Sequence, residues 1–250
     1  MTVTKPSAVL AGSSHLMCFG VPLNTEDGRV TLMPLKDLDE DFLCLNGPFP
    51  RTEAYWRELQ RLATGYKLFI VWRGNQHMAE HLFASNPPFD FVLSDQVDLP
   101  VATGSVLVPE QMIREQFLPS FDELETMLKN IQGGPHRGVV ICGTPPPKAD
   151  TAAIRAALVT QEYFLKRIAA LQSSVDTIPL TLPVTLYKMW KLLQNMLRDI
   201  AERHALQFVP IPAESQTLAG FLRDEFWSSD ATHANGKFGQ LFLQHLREHV

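Results

Sequence analysis

The order of apolar runs and amphipathic stretches predicts an α/β protein, a three-layer α/β/α fold around a central, mostly parallel sheet. Short continuous apolar runs such as Ala8–Ala11, Phe42–Leu45, Leu68–Trp72 and Val139–Cys142 read as strands buried on both faces. They alternate with stretches of helical spacing, which is the pattern of strand–helix–strand units. With 250 residues, of which 45% are hydrophobic and 20% charged, the chain can bury a sizeable core and is read as one domain over residues 1–250.

Each element follows from local chemistry. Ser7–Ala11 is a short buried strand that ends in Gly12-Ser13-Ser14-His15, after which Leu16, Met17 and Phe19 start a helical turn. The segment Asp37–Cys44 carries the next strand and closes at the turn Asn46-Gly47-Pro48. Arg51–Thr64 repeats apolar residues at Tyr55, Trp56, Leu59, Leu62 and Ala63, so an amphipathic helix is expected, with Gly65 as its C-terminal stop. Lys67–Trp72 is a buried strand broken at Arg73-Gly74-Asn75, and a helix runs from Gln76 to Ala84. Phe89–Ser94 and Val101–Val108 are extended, and Phe121–Ile131 is helical with Asp122 and Glu123 near its positive end. Gly138–Cys142 is a strand, and Thr144-Pro145-Pro146-Pro147 forces the chain out of the sheet as an extended loop. Two long helices, Thr151–Leu171 and Val184–His204, precede a short strand at Leu206–Val209 and a C-terminal helix at Phe238–Leu246.

Composition excludes several function classes. The net charge is −5, with 22 basic against 27 acidic residues, and Lys and Arg are scattered, so no phosphate-backbone footprint and no nucleic-acid partner are expected. No apolar run approaches the ~18 residues of a membrane span. Ala8–Ala11 is too short for a signal-peptide core, so a soluble, cytoplasmic protein is expected. Cys18, Cys44 and Cys142 lie in apolar settings without a CxxC pair, which reads as buried free thiols and no metal.

In a doubly wound sheet, functional groups collect beyond the carboxyl ends of the strands. There the sequence offers Ser14, Gly47, Asn75, the Thr144-Pro145 loop, and Asp230-Ala231-Thr232-His233. Three residues apart on a tight turn, Asp230 can hold the imidazole Nδ1 of His233 and leave Nε2 outward, the geometry of a general base. Taken alone, Asp-x-x-His occurs often by chance and reads first as a capping or surface Asp, and Ser13-Ser14 is equally a helix N-cap.

As an ordered set these blocks resemble the SGNH (GDSL-type) hydrolases. Gly12-Ser13-Ser14 stands for the first block, Gly47 for the second, Asn75 in Arg73-Gly74-Asn75 for the third, and Asp230 to His233 for the last. Gly74-Asn75-Gln76-His77, Thr144-Pro145-Pro146-Pro147 and Asp230-Ala231-Thr232-His233-Ala234-Asn235 together look like a bacterial subgroup of that superfamily. The chain departs from the pattern at Ser13, where the family has Asp, and at Arg73, where it has Gly. The register favours Ser14 over Ser13 as nucleophile.

The resemblance implies a serine esterase without cofactor, acting on a small-molecule or carbohydrate acyl ester, with O-acetyl esters as the first expectation. Ser14, His233 and Asp230 form the triad, and the Ser14 and Gly47 N–H groups with the Asn75 amide form the oxyanion hole. His77, Pro145 and Trp227 line the substrate, while Pro87–Ser120 and Val184–His204 shape the entrance. An acyltransferase with a sugar or small-molecule hydroxyl acceptor uses the same acyl-enzyme. A degenerate SGNH domain that only binds is the non-enzymatic alternative. A rival of another class is His77-Met78-Ala79-Glu80-His81, a His-x-x-Glu-His zinc motif that needs a third ligand. His245 and His249 are also four apart, at a helix C-terminus whose dipole suits histidine.

Overall fold

The computed structural model describes residues 6–25, 27–35 and 38–250. The expected strand start at Asp37 lies outside them.

Strands β1 (Ala8–Gly12), β2 (Thr31–Leu35), β3 (Asp39–Asn46), β4 (Lys67–Val71), β7 (Val139–Cys142) and β8 (Gln207–Val209) form one six-stranded sheet in the order β2-β3-β1-β4-β7-β8. All pairings are parallel except β2 with β3, so β2 is an antiparallel edge strand. It carries Pro34 opposite Leu43, and its register shifts between Pro34 and Leu35.

Period-two alternation divides the strand side chains between two cores. Val9, Ala11, Leu68, Ile70, Val139 and Ile141 face helices α1 (Glu53–Ala63), α4 (Asp122–Gln132) and α7 (Pro183–Arg203). Ala8, Leu10, Phe69, Val71, Val140 and Cys142 face helix α8 (Gly236–Arg247) and the 3-10 helix Ser14–Phe19. Burying one Leu or Phe contributes roughly 1.5–3 kcal/mol, so these faces fix the register of the sheet. A third cluster joins Met78 of α2 (Gln76–His81) to Leu158, Phe164 and Leu186, and includes Ala231 from the Asp230 turn.

The structure corrects several expectations. The single helix expected over Thr151–Leu171 is two, α5 (Thr151–Leu158) and α6 (Glu162–Ala170). Thr160 Oγ1 and Gln161 Nε2 both donate to the Ala157 carbonyl, terminating α5 where apolar spacing alone runs on. A helix α3 (Glu110–Phe117), not anticipated, buries Ile113 and Phe117. The extended segments shrink to β5 (Phe89–Asp90) and β6 (Val106–Leu107), a separate parallel pair. Helix α7 is a core element with twelve buried residues. Its Lys188 and Asp90 form a fully buried ion pair of 2.6 Å, and Lys188 Nζ also donates to the Phe91 carbonyl, clamping the 87–120 segment onto the core. The three cysteines are buried and free, as expected, and burial pushes their thiols up, so they stay protonated.

Candidate active site

The first site element is the exit from β1. A Cβ at Gly12 would sit 2.0 Å from the Val71 carbonyl oxygen, so only glycine lets the two parallel strands close at this point. The ladder continues through the Ser13 N–H donating to that same carbonyl at 3.1 Å. Ser13 is buried, and its hydroxyl accepts the Arg73 N–H at 3.2 Å, linking the first and third blocks. Arg73 takes a φ of 57°, a left-handed conformation that costs about 1–2 kcal/mol for a residue with a Cβ. Ser14 opens the 3-10 helix half-buried, and its N–H precedes the first intrahelical bond, from Leu16 to Ser13.

Arg51 is the site residue that sequence reasoning missed. It is buried, and its Nε donates to the Gly12 carbonyl at 2.9 Å while a terminal nitrogen donates to the Gly47 carbonyl. Its guanidinium also stacks 4.7 Å from the Tyr55 ring, and the Tyr55 hydroxyl accepts the Gly12 N–H at 2.8 Å. One cation thus ties the Gly12-Ser13-Ser14 turn to Gly47. A charge buried against backbone carbonyls leaves no periodic trace in the sequence.

Gly47 itself is placed differently from expectation. Its N–H donates to the side chain of Asn46 at 2.8 Å, so it is already engaged and not free for an oxyanion. A Cβ there would meet Tyr55 at 3.1 Å, so the glycine lets that ring pack closely. Asn75, by contrast, occupies the N-cap position of α2 without making a side-chain cap bond, which leaves its amide free. Gly74 before it has a φ of 80°, and a Cβ there would strike the Thr144 hydroxyl at 2.1 Å. Thr144 is fully buried and bonded through its N–H and hydroxyl to the Gln194 amide, which anchors the Pro145–Pro147 loop.

The fourth block is a self-supporting turn. Asp230 Oδ1 accepts the N–H groups of Thr232 and His233, both at 2.7 Å, and its Oδ2 accepts the Ser228 hydroxyl at 2.8 Å. The same Oδ2 lies 3.1 Å from His233 Nδ1. Trp227 pairs with Ala234 across the turn, and Asn235 closes it by bonding the Glu225 and Trp227 carbonyls while capping α8. The indole N–H of Trp227 is spent on the Leu222 carbonyl, so Trp227 is an anchor of this turn.

Burial alone would push the Asp230 carboxyl up, but the bonds from the His233 ring and the two N–H groups win and hold it well below the usual carboxylate range. Asp230 is therefore ionised at neutral pH and can hold the His233 ring with the proton on Nδ1 and a lone pair on Nε2. That Nε2 is withdrawn from solvent and has no partner among the described residues. No hydrogen bond joins it to Ser14; the His233 ring instead meets His15, the residue after Ser14, edge-on at 5.8 Å between centroids.

His15 and His77 are buried, and burial pulls each down to about 3, so both are neutral. His77 is thus an interior residue below Asn75 and not an exposed substrate contact. His81 lies edge-on between Phe89 and Phe117, and no third ligating group joins it and His77 among the described residues.

Lys148, at the end of the proline loop, holds the turn from below. Its ammonium donates to the Ser228 carbonyl at 2.8 Å and to the Asp230 carbonyl, with its charge 5.7 Å from the Trp227 ring. Burial brings it down to about 8 against the opposing pull of Asp230. Between that value and the ~10.4 of a free lysine, the folded protein has lost a proton that the unfolded chain still binds, so this group's contribution to stability rises with pH. Denaturant midpoints at pH 7.5 and 9.5 should therefore favour the wild type over Lys148→Met more at the higher pH. An unchanged difference would mean that Lys148 keeps its proton.

Solved structures show the same architecture. Phospholipase A1 from Streptomyces albidoflavus NA297 aligns with 99% of this chain and 100% of its own at 13% identity, with a TM-score of 0.52. A protein assigned as an acylhydrolase from Bacteroides fragilis NCTC 9343 aligns with 99% and 90% at 10% identity, with a TM-score of 0.50. The chain has their three-layer fold. No protein-family model and no curated protein matches its sequence. The large grooves lie elsewhere: one of about 560 Å³ runs between α1 and α4, one of about 620 Å³ between α4 and α7, and neither is lined by Ser14, Asn75 or His233. Among the described residues no helix is long and apolar enough to cross a membrane.

Proposed function

We propose that the chain is a serine esterase of the SGNH type. The observation that carries this reading is His233, with Nδ1 held 3.1 Å from Asp230 and Nε2 left without a partner, packed against the residue that follows Ser14. Ser14 attacks the acyl carbonyl as His233 takes its proton, and His233 returns that proton to the leaving alcohol. Water then releases the acyl group by the same steps in reverse. The oxyanion is held by the Ser14 N–H and the free amide of Asn75. Serine hydroxyl and histidine base tighten into contact when substrate binds, as catalytic hydrogen bonds often do. His15, the residue after Ser14, is buried and packs on His233, whose Nε2 is withdrawn from solvent, and this close setting favours a short acyl group such as acetyl on a carbohydrate or small metabolite. The fold shared with an acylhydrolase and a phospholipase A1 is in keeping with an ester substrate.

A fluorophosphonate followed by mass spectrometry and peptide mapping tests the reading. A single adduct on Ser14 is expected, and an adduct on Ser13, or none on folded protein, would overturn it. Asn75→Ala should lower kcat by ~10²–10³-fold with a smaller change in KM. A change confined to KM would make Asn75 a binding residue instead.

A further inference from the structure

The C-terminal turn of α8 presents a cluster that the esterase chemistry does not use. His245, Glu248 and His249 each offer a ligand atom, and these atoms lie within 4.8 Å of one another. The spacing explains why: residues three and four apart on a helix share a face, and the last turn continues through Glu248, whose backbone is still helical at φ −64° and ψ −13°. The two imidazole rings stand 5.6 Å apart. His245 Nε2 is withdrawn from solvent without a hydrogen-bond partner, so it holds a lone pair or a proton that nothing in the fold satisfies. His249 Nδ1 is already engaged, 2.8 Å from the side-chain amide of Gln207 on β8. With the Gln207 amide N–H donating to Nδ1 the ring proton sits on Nε2, whereas ligating histidines donate to their outer partner; binding through Nε2 therefore goes with a turned-over Gln207 amide, whose oxygen accepts Nδ1–H and leaves the Nε2 lone pair to the ion. Glu248 is exposed and adds the negative charge that a divalent cation favours, offsetting the positive charge of nearby Lys67.

We propose that His245, Glu248 and His249 bind a divalent transition-metal ion of the zinc, cobalt or nickel type. Two imidazoles and one carboxylate with a completing water suit such ions, whose metal–ligand distances near 2.0–2.2 Å require only a small closure of side chains at a helix end. The ion would staple the last turn of α8 and, through Gln207, connect that helix to the edge of the sheet. Because α8 lies against the 3-10 helix that begins at Ser14, with Gly239 in close contact with the Cys18 backbone, the staple would also firm the seat of that helix.

The test uses tag-free protein titrated with zinc chloride against a chromophoric chelator, with the melting temperature followed in parallel. The wild type should bind one equivalent and melt higher with zinc present. His245→Gln/His249→Gln should bind on the order of 10-fold or more weakly and lose the thermal gain. Gln207→Leu should weaken binding about 10-fold with the ligands intact. His77→Gln/His81→Gln should bind as the wild type does. The helix-end substitutions lie on a partly exposed face, and unchanged zinc-free melting temperatures verify their folding. Equal binding by the wild type and the His245→Gln/His249→Gln protein would overturn the proposal, as would loss of binding in the His77→Gln/His81→Gln protein, which would move the site to α2.

Discussion

Ser14→Ala should reduce ester turnover by about 10⁴–10⁶-fold while leaving the melting temperature nearly unchanged. The size follows from role: without the hydroxyl no acyl-enzyme forms, and what remains is catalysis by the oxyanion donors and binding alone. The fold should tolerate the change because Ser14 is only half-buried and its side chain is not the cap of the 3-10 helix; the bonds that shape the turn belong to Gly12, Ser13 and Arg51. Ser13→Ala makes the contrast. It removes the acceptor for the Arg73 N–H, and its effect should appear as loss of stability with most of the activity kept. Measured kcat and thermal melts of both variants decide the assignment, and an active Ser14→Ala protein would remove Ser14 from its role.

Asp230→Asn should lower kcat by about 10⁴-fold with little effect on the shape of the turn. An Asn oxygen at the Oδ1 position can still accept the Thr232 and His233 N–H groups, so the local geometry survives. At the Oδ2 position, however, the amide would present N–H to His233 Nδ1, where the carboxylate now accepts at 3.1 Å. That reverses the tautomer, places the proton on Nε2, and leaves no base facing the serine. Kinetics together with the histidine ring nitrogen chemical shifts would read both effects. A variant with the reversed tautomer and undiminished turnover would exclude His233 as the base.

What could be read from the sequence separates cleanly from what could not. The inner strands were legible because burial on both faces demands unbroken apolar runs, as in β4 and β7. Strand β2 was not, because Thr31-Leu32-Met33-Pro34-Leu35 contains a proline and is only partly buried, and so reads as loop. The Asp230 turn was legible because its bonds are nearly all local, within a few residues of the carboxylate. The engagement of the Gly47 N–H was equally local but invisible to pattern: the Asn46 side chain bends back onto it. The Asp90–Lys188 pair was out of reach because its members lie 98 residues apart, and Arg51 because its bond to Gly12 spans 39 residues and nothing in the neighbouring sequence marks its charge as buried.

The antiparallel strand at the sheet margin also bears on how molecules of this chain can meet. A row of free main-chain donors and acceptors at a sheet edge invites a strand from another molecule. Pro34 removes a donor from that row, and the shift beside it breaks the regular spacing a visiting strand would need. At the opposite margin, β8 is only three residues long and offers too little length to template an addition. Continuing the six-stranded sheet from one molecule into the next is thereby discouraged at both of its margins.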